Sequence, residues 1–265
     1  MRLKIRHVTK YSFTEPVVYG LEQLRKTPKS HRAQTVLNWK TKVAGGEKEL
    51  QYEDHHRNVV ELISIAPGAT ELILSSEGEV EMQDASGVTG PHEGPAPVWL
   101  FERSTPLTRV GPKVRDLARG VAGKEGLDQL HALLGAVHEA VKYQINTSEP
   151  DWTAERALEE GCGVCQDQAH VFIAAARHLK HPARYVSGYL KLDDRTDQDA
   201  MHGWAEAHVD GLGWVGFDVS NKVSPDTRYV RVATGLDYGD AAPVTGTRIG
   251  GEGEVLTVEL DISQQ

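Results

Sequence analysis

The chain has 265 residues with a formal net charge of −9, and 39% of its residues are hydrophobic. Acidic and basic residues are interspersed without a basic stripe, which argues against a nucleic acid or an anionic membrane as the partner. No apolar run reaches the roughly 18 residues of a membrane span, the first residues lack an apolar signal core, and two cysteines are too few for a disulfide scaffold. We therefore expect a globular cytoplasmic protein, with room for one large domain or two modest ones.

The first part of the chain, residues 1–81, has the pattern of a β-rich domain. Apolar and polar residues alternate over 3–7 and 36–43, and short apolar runs follow at 59–63 and 71–74. Turn residues such as Pro and Gly separate several of these runs. Short strands with turns between them are typical of antiparallel sheets. We predict a β-sandwich-like N-terminal module over 1–81.

Residues 82–97 are rich in Gly, Pro and acidic residues and form the predicted linker or long loop between two domains. The core that follows, 98–265, begins with helical periodicity. Apolar residues recur at helical spacing over 114–121 and 127–143, and another helix is predicted over 153–158.

The second half of the core alternates a helix with strands. A helix that begins near Cys165 ends before Pro182, which cannot continue it. The tetrapeptide Asp-Gly-Leu-Gly at 210–213 predicts a hairpin turn. The predicted strands lie at 183–190, 202–209, 214–219, 229–232 and 254–260. Helices followed by an antiparallel sheet indicate an α+β fold.

The two cysteines, Cys162 and Cys165, both lie at the start of this central helix. Cys165 stands where the helix begins, and the unpaired N–H groups and dipole of a helix N-terminus favour a thiolate. The same N–H groups can stabilise the oxyanion of an acyl-transfer reaction, so Cys165 is the candidate nucleophile. The Cys-x-x-Cys spacing leaves open reversible oxidation of Cys165 by Cys162. Zinc would need about four ligands, and no second cysteine pair exists.

The candidate base is one of three histidines, His170, His202 or His208. His170 lies five residues after Cys165, about 140° around the helix, and is predicted to pack or to bond to loop backbone. In the predicted hairpin Asp218 falls within three rungs of His202, whereas His208 lies roughly 10 Å or more from Asp218 along the strand. His208 is predicted to face solvent. A carboxylate beside a histidine fixes its tautomer, so His202 and Asp218 are the predicted base and orienting residue.

Four short motifs occur in order within residues 152–221. They read Gly-Val-Cys-Gln-Asp at 163–167 with Ala-His at 169–170, Pro-Ala-Arg-Tyr-Val-Ser-Gly-Tyr at 182–189, His-Gly-Trp-Ala-Glu at 202–206 and Gly-Trp-Val-Gly-Phe-Asp at 213–218. This series resembles the bacterial transglutaminase-like superfamily of cysteine proteases. Residues 1–81 also resemble the β-rich N-terminal region that precedes this core in that family.

The resemblance implies a papain-like, transglutaminase-like core with Cys165 as nucleophile, His202 as base and acid, and Asp218 as orienting residue. It does not imply cross-linking activity, because many members of the superfamily hydrolyse amide bonds or have no known substrate.

The chain departs from the family pattern at a few positions around these motifs. Gln168 stands where Phe is common, Gly203 where Ala is common, and Val219 and Ser220 replace a frequent Pro-Thr pair. None of these changes removes a catalytic group. They are expected to alter the shape of loops and of the pocket.

Our leading hypothesis is hydrolysis of amide bonds in a peptide or protein substrate through a thioester acyl-enzyme. One alternative is acyl transfer to an amine, as by a protein-glutamine transglutaminase. Another is a non-catalytic binding module on the same fold. The presence of a cysteine, a histidine and a carboxylate in complementary roles favours an enzyme over a binding module.

No cofactor and no metal ion are expected. The acidic loop 193–199 is interpreted as solvated, although its carboxylates leave calcium binding open. The adjacent His55 and His56 are interpreted as part of a polar turn, because neighbouring strand residues face opposite ways.

Overall fold

The computed structural model describes residues 1–198 and 200–265 and has the predicted α+β architecture. The strands are β1 (Arg2–Ser12), β2 (Val17–Thr27), β3 (Gln34–Ala44), β4 (Gly46–Glu53), β5 (Val59–Ile65), β6 (Glu71–Met82), β7 (Val88–Gly90), β8 (Lys142–Tyr143), β9 (Cys162–Gly163), β10 (Ala183–Leu190), β11 (Asp197–Gln198), β12 (His202–Val209), β13 (Gly213–Phe217), β14 (Tyr229–Gly235), β15 (Val244–Gly250) and β16 (Val255–Gln264). The helices are α1 (Pro112–Val121), α2 (Gly126–Ala140), α3 (Ala154–Glu160), α4 (Cys165–His178) and α5 (Tyr238–Ala241), with a 3₁₀ helix at Val98–Glu102.

The N-terminal strands β1–β6 contribute to two antiparallel sheets, one with the order β11-β16-β1-β6-β3 and the other with the order β15-β2-β5-β4. Over most of β1 and β6, buried and more exposed residues alternate, because successive side chains of a strand point to opposite faces. Leu24 and Ile63 of one sheet share an apolar cluster with Leu72 and Leu74 of the other. The sandwich-like packing predicted for this part of the chain is therefore present.

The last two strands belong to these same sheets. β15 pairs with β2, and β16 pairs with β1 along its whole length, with Ile5 opposite Ile262. The pairing covers an edge of β1 and an edge of β2 that would otherwise expose unpaired N–H and C=O groups. Strand pairing thus assigns 244–264 to the sandwich, whereas the sequence-based division assigned all of 98–265 to the core.

Part of the predicted linker 82–97 is also a strand. β7 pairs with β13, with Gly90 opposite Trp214, and so forms one edge of the core sheet. The next residues remain attached to this edge, since the indole N–H of Trp214 donates to His92 Nδ1 at 3.1 Å.

The core is an antiparallel sheet with the order β14-β10-β12-β13-β7. Helix α4 packs on β10 and β12, and α1, α2 and α3 pack around it. Residues 167–177 of α4 are all buried, so this helix lies at the centre of the core. A single apolar cluster joins these helices and the sheet to Leu3, Ile5 and Val80 of the sandwich.

The loop before β12 is held by the C-terminal strand. β11 pairs with β16, and Ile262 N–H donates to Thr196 O at 3.1 Å. Asp199, which belongs to the predicted acidic loop 193–199, lies outside the described residues. In the part of the chain that the structure describes, no helix has the length and apolar character needed to cross a membrane.

Candidate active site

Cys165 is the first residue of α4, the most buried helix of the core. The preceding residue, Val164, has extended backbone (φ −100°, ψ −177°), so the chain enters the helix from a strand-like segment. The Asp167 carboxylate accepts the Val164 N–H at 2.8 Å and closes the first turn. The negative charge of Asp167 near the helix N-terminus is also favoured by the helix dipole.

The hairpin of β12 and β13 places His202 beside Asp218. Ala205 is opposite Phe217, so Asp218 lies beyond the last pair of β13 and close to the start of β12. His202 Nε2 and Asp218 Oδ2 are 2.7 Å apart. This bond occupies Nε2 and leaves Nδ1 as the ring nitrogen available to Cys165.

Asp218 is fully buried and accepts several hydrogen bonds in addition to that of His202. The Asn221 side-chain amide donates to Oδ2 at 2.7 Å, and the Tyr229 hydroxyl donates to the same oxygen at 2.8 Å. Burial opposes the charge on Asp218, but the hydrogen bond and positive charge of His202, followed by the bonds from Asn221 and Tyr229, outweigh it and hold the pKa of the carboxyl below its usual range. Asn221 and Tyr229 were not recognised from the sequence; Asn221, three residues after Asp218, has the local spacing of a turn.

The protonation of His202 depends on both of its neighbours. Burial lowers the pKa of the imidazole, but the negative charge of Cys165 and hydrogen bonds to Asp218 and Cys165 raise it to about 10. The imidazole is therefore protonated at neutral pH when Cys165 is a thiolate. Cys165, His202 and Asp218 are thus brought together as a coupled set, with His202 in the middle.

The other two histidines lie elsewhere. His170 is fully buried in α4; burial lowers its pKa to about 3, and Nε2 accepts the Tyr238 N–H at 3.1 Å. His208 pairs with Trp214 across the hairpin, as the predicted register requires. Its ring contacts the Trp214 indole edge-on, with centroids 5.4 Å apart, so it is half-buried instead of facing solvent freely.

Both cysteines are free, and the backbone separates them. Cys162 and Gly163 form β9, and Val164 is also extended. Three fully extended steps span at most about 10 Å between the Cα atoms of Cys162 and Cys165, and a segment near this extension exceeds the roughly 4.4–6.8 Å that a disulfide requires. A direct disulfide therefore needs a rearrangement of this segment.

Two of the departures from the family pattern contact each other. Ser220 Oγ donates to Gln168 Oε1 at 2.6 Å, and Gln168 Nε2 donates to Val141 O at 2.8 Å. Gly203 touches Tyr185, and a Cβ at this position would lie 2.0 Å from the tyrosine oxygen. A larger residue next to His202 would therefore require the Tyr185 ring to shift.

Across residues 1–198 and 200–265, no group of three or more His, Cys, Asp or Glu side chains is arranged to hold a metal ion.

Two regions of the chain match models of known protein families. Residues 3–81 match the bacterial transglutaminase-like N-terminal region, and residues 115–219 match the transglutaminase-like superfamily core. An uncharacterized protein of Mycobacterium leprae is 28% identical over 279 residues, covering 99% of both chains. An uncharacterized protein of Mycobacterium tuberculosis is 25% identical and covers 98% of this chain and 92% of its own.

The fold is shared with a solved structure from Cytophaga hutchinsonii, described as a "putative cysteine protease". The two superpose with a TM-score of 0.79 at 22% identity, over all of this chain and 91% of the other. The resemblance read from the four motifs and from the β-rich first part is therefore confirmed. The chain belongs to the transglutaminase-like superfamily, a family of cysteine-dependent enzymes.

Proposed function

We propose that the protein hydrolyses amide or peptide bonds in a peptide or protein substrate, with Cys165, His202 and Asp218 as nucleophile, acid–base and orienting residue. The observation that carries this proposal is the position of His202, which bonds to buried Asp218 through Nε2 and interacts with Cys165 on its other side. An acyl-transfer site needs these three roles, with the base lying between the nucleophile and the orienting carboxylate. We also propose a reducing, cytoplasmic location, which keeps the Cys165 thiol available.

The first half-reaction forms a thioester. The Cys165 thiolate attacks the substrate carbonyl carbon, and the carbonyl electrons move to oxygen. The tetrahedral intermediate collapses as the C–N bond breaks, and the imidazolium of His202 gives its Nδ1 proton to the leaving amine. The products of this step are a free amine and an acyl-enzyme on Cys165.

The second half-reaction returns the enzyme to its starting state. Neutral His202 takes a proton from water, and the resulting hydroxide attacks the thioester carbonyl. The C–S bond breaks, the acid leaves, and the thiolate–imidazolium pair is restored. Because the His202 side chain is 13% exposed, the base borders solvent from which this water is drawn.

The oxyanion is stabilised at the start of α4. The N–H groups of Cys165 and Gln166 belong to the first helical turn, where donors have no partner within the helix. An oxyanion formed next to the Cys165 sulfur lies at the positive end of the helix dipole. Asp218 keeps the imidazole in one tautomer during both half-reactions.

An activity-based thiol probe tests the nucleophile. At neutral pH we expect rapid labelling of the wild type and of Cys162→Ala, and no active-site labelling of Cys165→Ala. Iodoacetamide labelling of Cys165 no faster than that of a free thiol, together with no change in His202→Ala, contradicts the proposal.

A peptide-library screen then identifies a substrate, and product analysis separates the reactions. The same digestion is run with and without an added primary amine such as glycine methyl ester. Hydrolysis gives the free acid in both reactions. A product in which the amine has replaced water instead assigns the protein to acyl transfer.

A further inference from the structure

A cavity lies between the sandwich and the face of the core sheet opposite α4. Its volume is about 40 Å³, the space of about three water-sized groups. The sandwich side contributes His31 and Met82, and the core sheet contributes Trp204, Glu206 and Arg231. This cavity, which we call the interface pocket, is separate from the Cys165 end of α4.

The floor of the interface pocket carries more positive than negative charge. Buried Glu206 pairs with Arg184 at 2.6 Å and with Arg231 at 3.0 Å, so two guanidinium groups share one carboxylate. Asp226 also lines the pocket, but Arg228 neutralises it at 2.7 Å. Glu206 and its two arginines together have a net charge of +1. Asp226 and Arg228 form a neutral, partly exposed pair, and Arg228 also contacts Asp193 at 3.2 Å.

Arg231 is the cation that borders the open space. Its Nε donates to Glu206, and its two terminal nitrogens have no partner among the described residues. The side chain keeps 21% of its exposure, whereas Glu206 keeps 2%. A guanidinium with free terminal N–H groups is suited to bind a carboxylate with two parallel hydrogen bonds.

His31 supplies a second donor. The Ala33 N–H donates to its Nδ1 at 3.4 Å, which places the ring proton on Nε2. Nε2 is buried and has no partner among the described residues. Burial lowers the pKa of His31 to about 4, so the ring is neutral and Nε2 is a hydrogen-bond donor at neutral pH. A buried donor without an acceptor is costly unless a ligand supplies one.

The walls of the interface pocket are shared with the candidate active site. Trp204 and Tyr229 line the pocket, and both rings also contact His202, with centroid distances of 6.1 Å and 6.0 Å. The Tyr229 hydroxyl donates to Asp218. A group bound in the pocket therefore touches the two aromatic side chains that hold the histidine and its carboxylate.

We propose that the interface pocket binds a carboxylate group, held by Arg231 and the Nε2–H of His31 between the rings of Trp204 and Tyr229. A carboxylate has three heavy atoms, fits the cavity volume and compensates the excess positive charge. It belongs either to the substrate, as a peptide C-terminus, or to a small acid that acts as an effector. Telling these two sources apart by kinetics rests on the proposed function. The binding of a carboxylate in the interface pocket is independent of that function.

Binding is measured on Cys165→Ala, which does not require a known substrate. Sodium propionate and uncharged propionamide are titrated separately, with tryptophan fluorescence and saturation-transfer NMR as readouts. We expect propionate to bind and propionamide not to bind. Arg231→Gln should weaken propionate binding at least tenfold, Arg231→Lys should retain part of it, and the surface control Arg248→Gln should leave it unchanged.

His31→Phe provides a second test that keeps the net charge of the pocket. It should weaken propionate binding while leaving thermal unfolding close to that of the parent protein. Equal binding of propionate and propionamide, no binding of either, or full binding by Arg231→Gln overturns the proposal. These results leave thiol labelling of the wild type unaffected, so they are distinguishable from failure of the proposed function.

With an active substrate, the source of the carboxylate is read from steady-state kinetics. If the pocket binds the substrate C-terminus, propionate raises KM. The wild type should then cleave a peptide with a free C-terminus better than the same peptide with an amidated C-terminus, whereas Arg231→Gln should cleave the two about equally. If a small acid is the effector, propionate changes kcat with amidated and free peptides alike. Kinetics unaffected by propionate at saturating occupancy contradicts both sources.

Discussion

The active-site end of the core sheet and the interior of the sandwich both bury basic side chains, but the pKa shifts in opposite directions in the two places. At the active site, the largely buried His202, whose side chain is 13% exposed, has a pKa raised to about 10. In the sandwich, fully buried Lys26 has a pKa lowered by burial to about 7, and that of buried His7 is well below its usual value. The active-site group is charged at neutral pH, whereas the sandwich groups are shifted towards their neutral forms.

The partners explain the difference. Lys26 Nζ donates to Thr9 Oγ1, Thr9 donates to His7 Nε2 at 3.3 Å, and His7 Nδ1 donates to Tyr189 Oη of the core at 3.2 Å. These partners are hydroxyls and a neutral ring, which solvate a charge poorly. Of the two environments, only that of His202 supplies negative charge, from Cys165 and Asp218. The charge of the neighbouring groups therefore decides whether a largely buried side chain is protonated at neutral pH.

Removing the negative charge of Asp218 is expected to have the largest effect. In Asp218→Asn, the amide no longer fixes the His202 tautomer or stabilises the imidazolium, so kcat/KM should fall by about a thousandfold or more. The measurement is peptide cleavage by the variant at neutral pH, with thermal unfolding recorded alongside. Asp116→Asn, an exposed change in α1, is the matched control and should retain activity. A loss of less than tenfold in a folded Asp218→Asn protein contradicts this role.

Removing the thiolate should shift the titration of His202. Cys165→Ala deletes the largest influence that raises this pKa, so the NMR midpoint of the His202 ring should fall by more than one unit. In the wild type the raised pKa contributes stability that is complete below the unfolded value of about 6.5 and is lost as pH rises through about 10. The stability advantage over Cys165→Ala should therefore shrink across this window. An unchanged midpoint contradicts the coupling of the two side chains.

Replacing Lys26 tests the opposite environment. Lys26→Met removes a buried cation and should raise the free energy of unfolding at pH 6 by about 1–4 kcal/mol. The wild-type pKa is about 7 when folded and 10.5 when unfolded, so the unfolded chain binds more protons between these values. The advantage of Lys26→Met should accordingly be largest below pH 7 and decline as pH rises towards 10.5.

The measurement is urea unfolding at several pH values. Lys42→Met, which replaces a largely exposed lysine of β3, is the control and should show little pH dependence over the same range. A destabilised Lys26→Met at pH 6, or an advantage that grows with pH, shows that the ammonium is stabilised inside the sandwich.

The local parts of this fold were predictable from the sequence. Alternation with a period of two marked β1 and β3, and short apolar runs marked β5 and β6. The tetrapeptide 210–213 indicated the register of the hairpin that brings Asp218 near His202. The joining of β16 to β1 was not predictable, because the alternation over 254–260 indicates a strand without identifying a partner some 250 residues away. For the same reason β7 was interpreted as part of a linker.

The candidate site divides in the same way. The position of Cys165 at a helix start and the His202–Asp218 pair follow from local spacing, although their catalytic roles stay predictions. Tyr229 donates to Asp218 from β14, three places from β13 in the sheet, so its contribution depends on the order β14-β10-β12-β13. The charge cluster of the interface pocket depends on that order too, because its arginines lie on β10 and β14 and its glutamate on β12.

The smallest effect is expected from Cys162, although its spacing from Cys165 is that of a redox pair. The extended backbone through Gly163 and Val164, capped by Asp167, keeps the two thiols apart. Cys162→Ser should therefore change kcat/KM by less than about twofold. After mild peroxide, wild type and Cys162→Ser should lose activity and recover it with dithiothreitol to the same extent, because Cys165 is oxidised without forming a disulfide to Cys162. Intact mass should show added oxygen instead of a loss of two hydrogens. Recovery in the wild type alone, with a Cys162–Cys165 disulfide in the peptide map, shows that this segment unfolds far enough for the pair to meet.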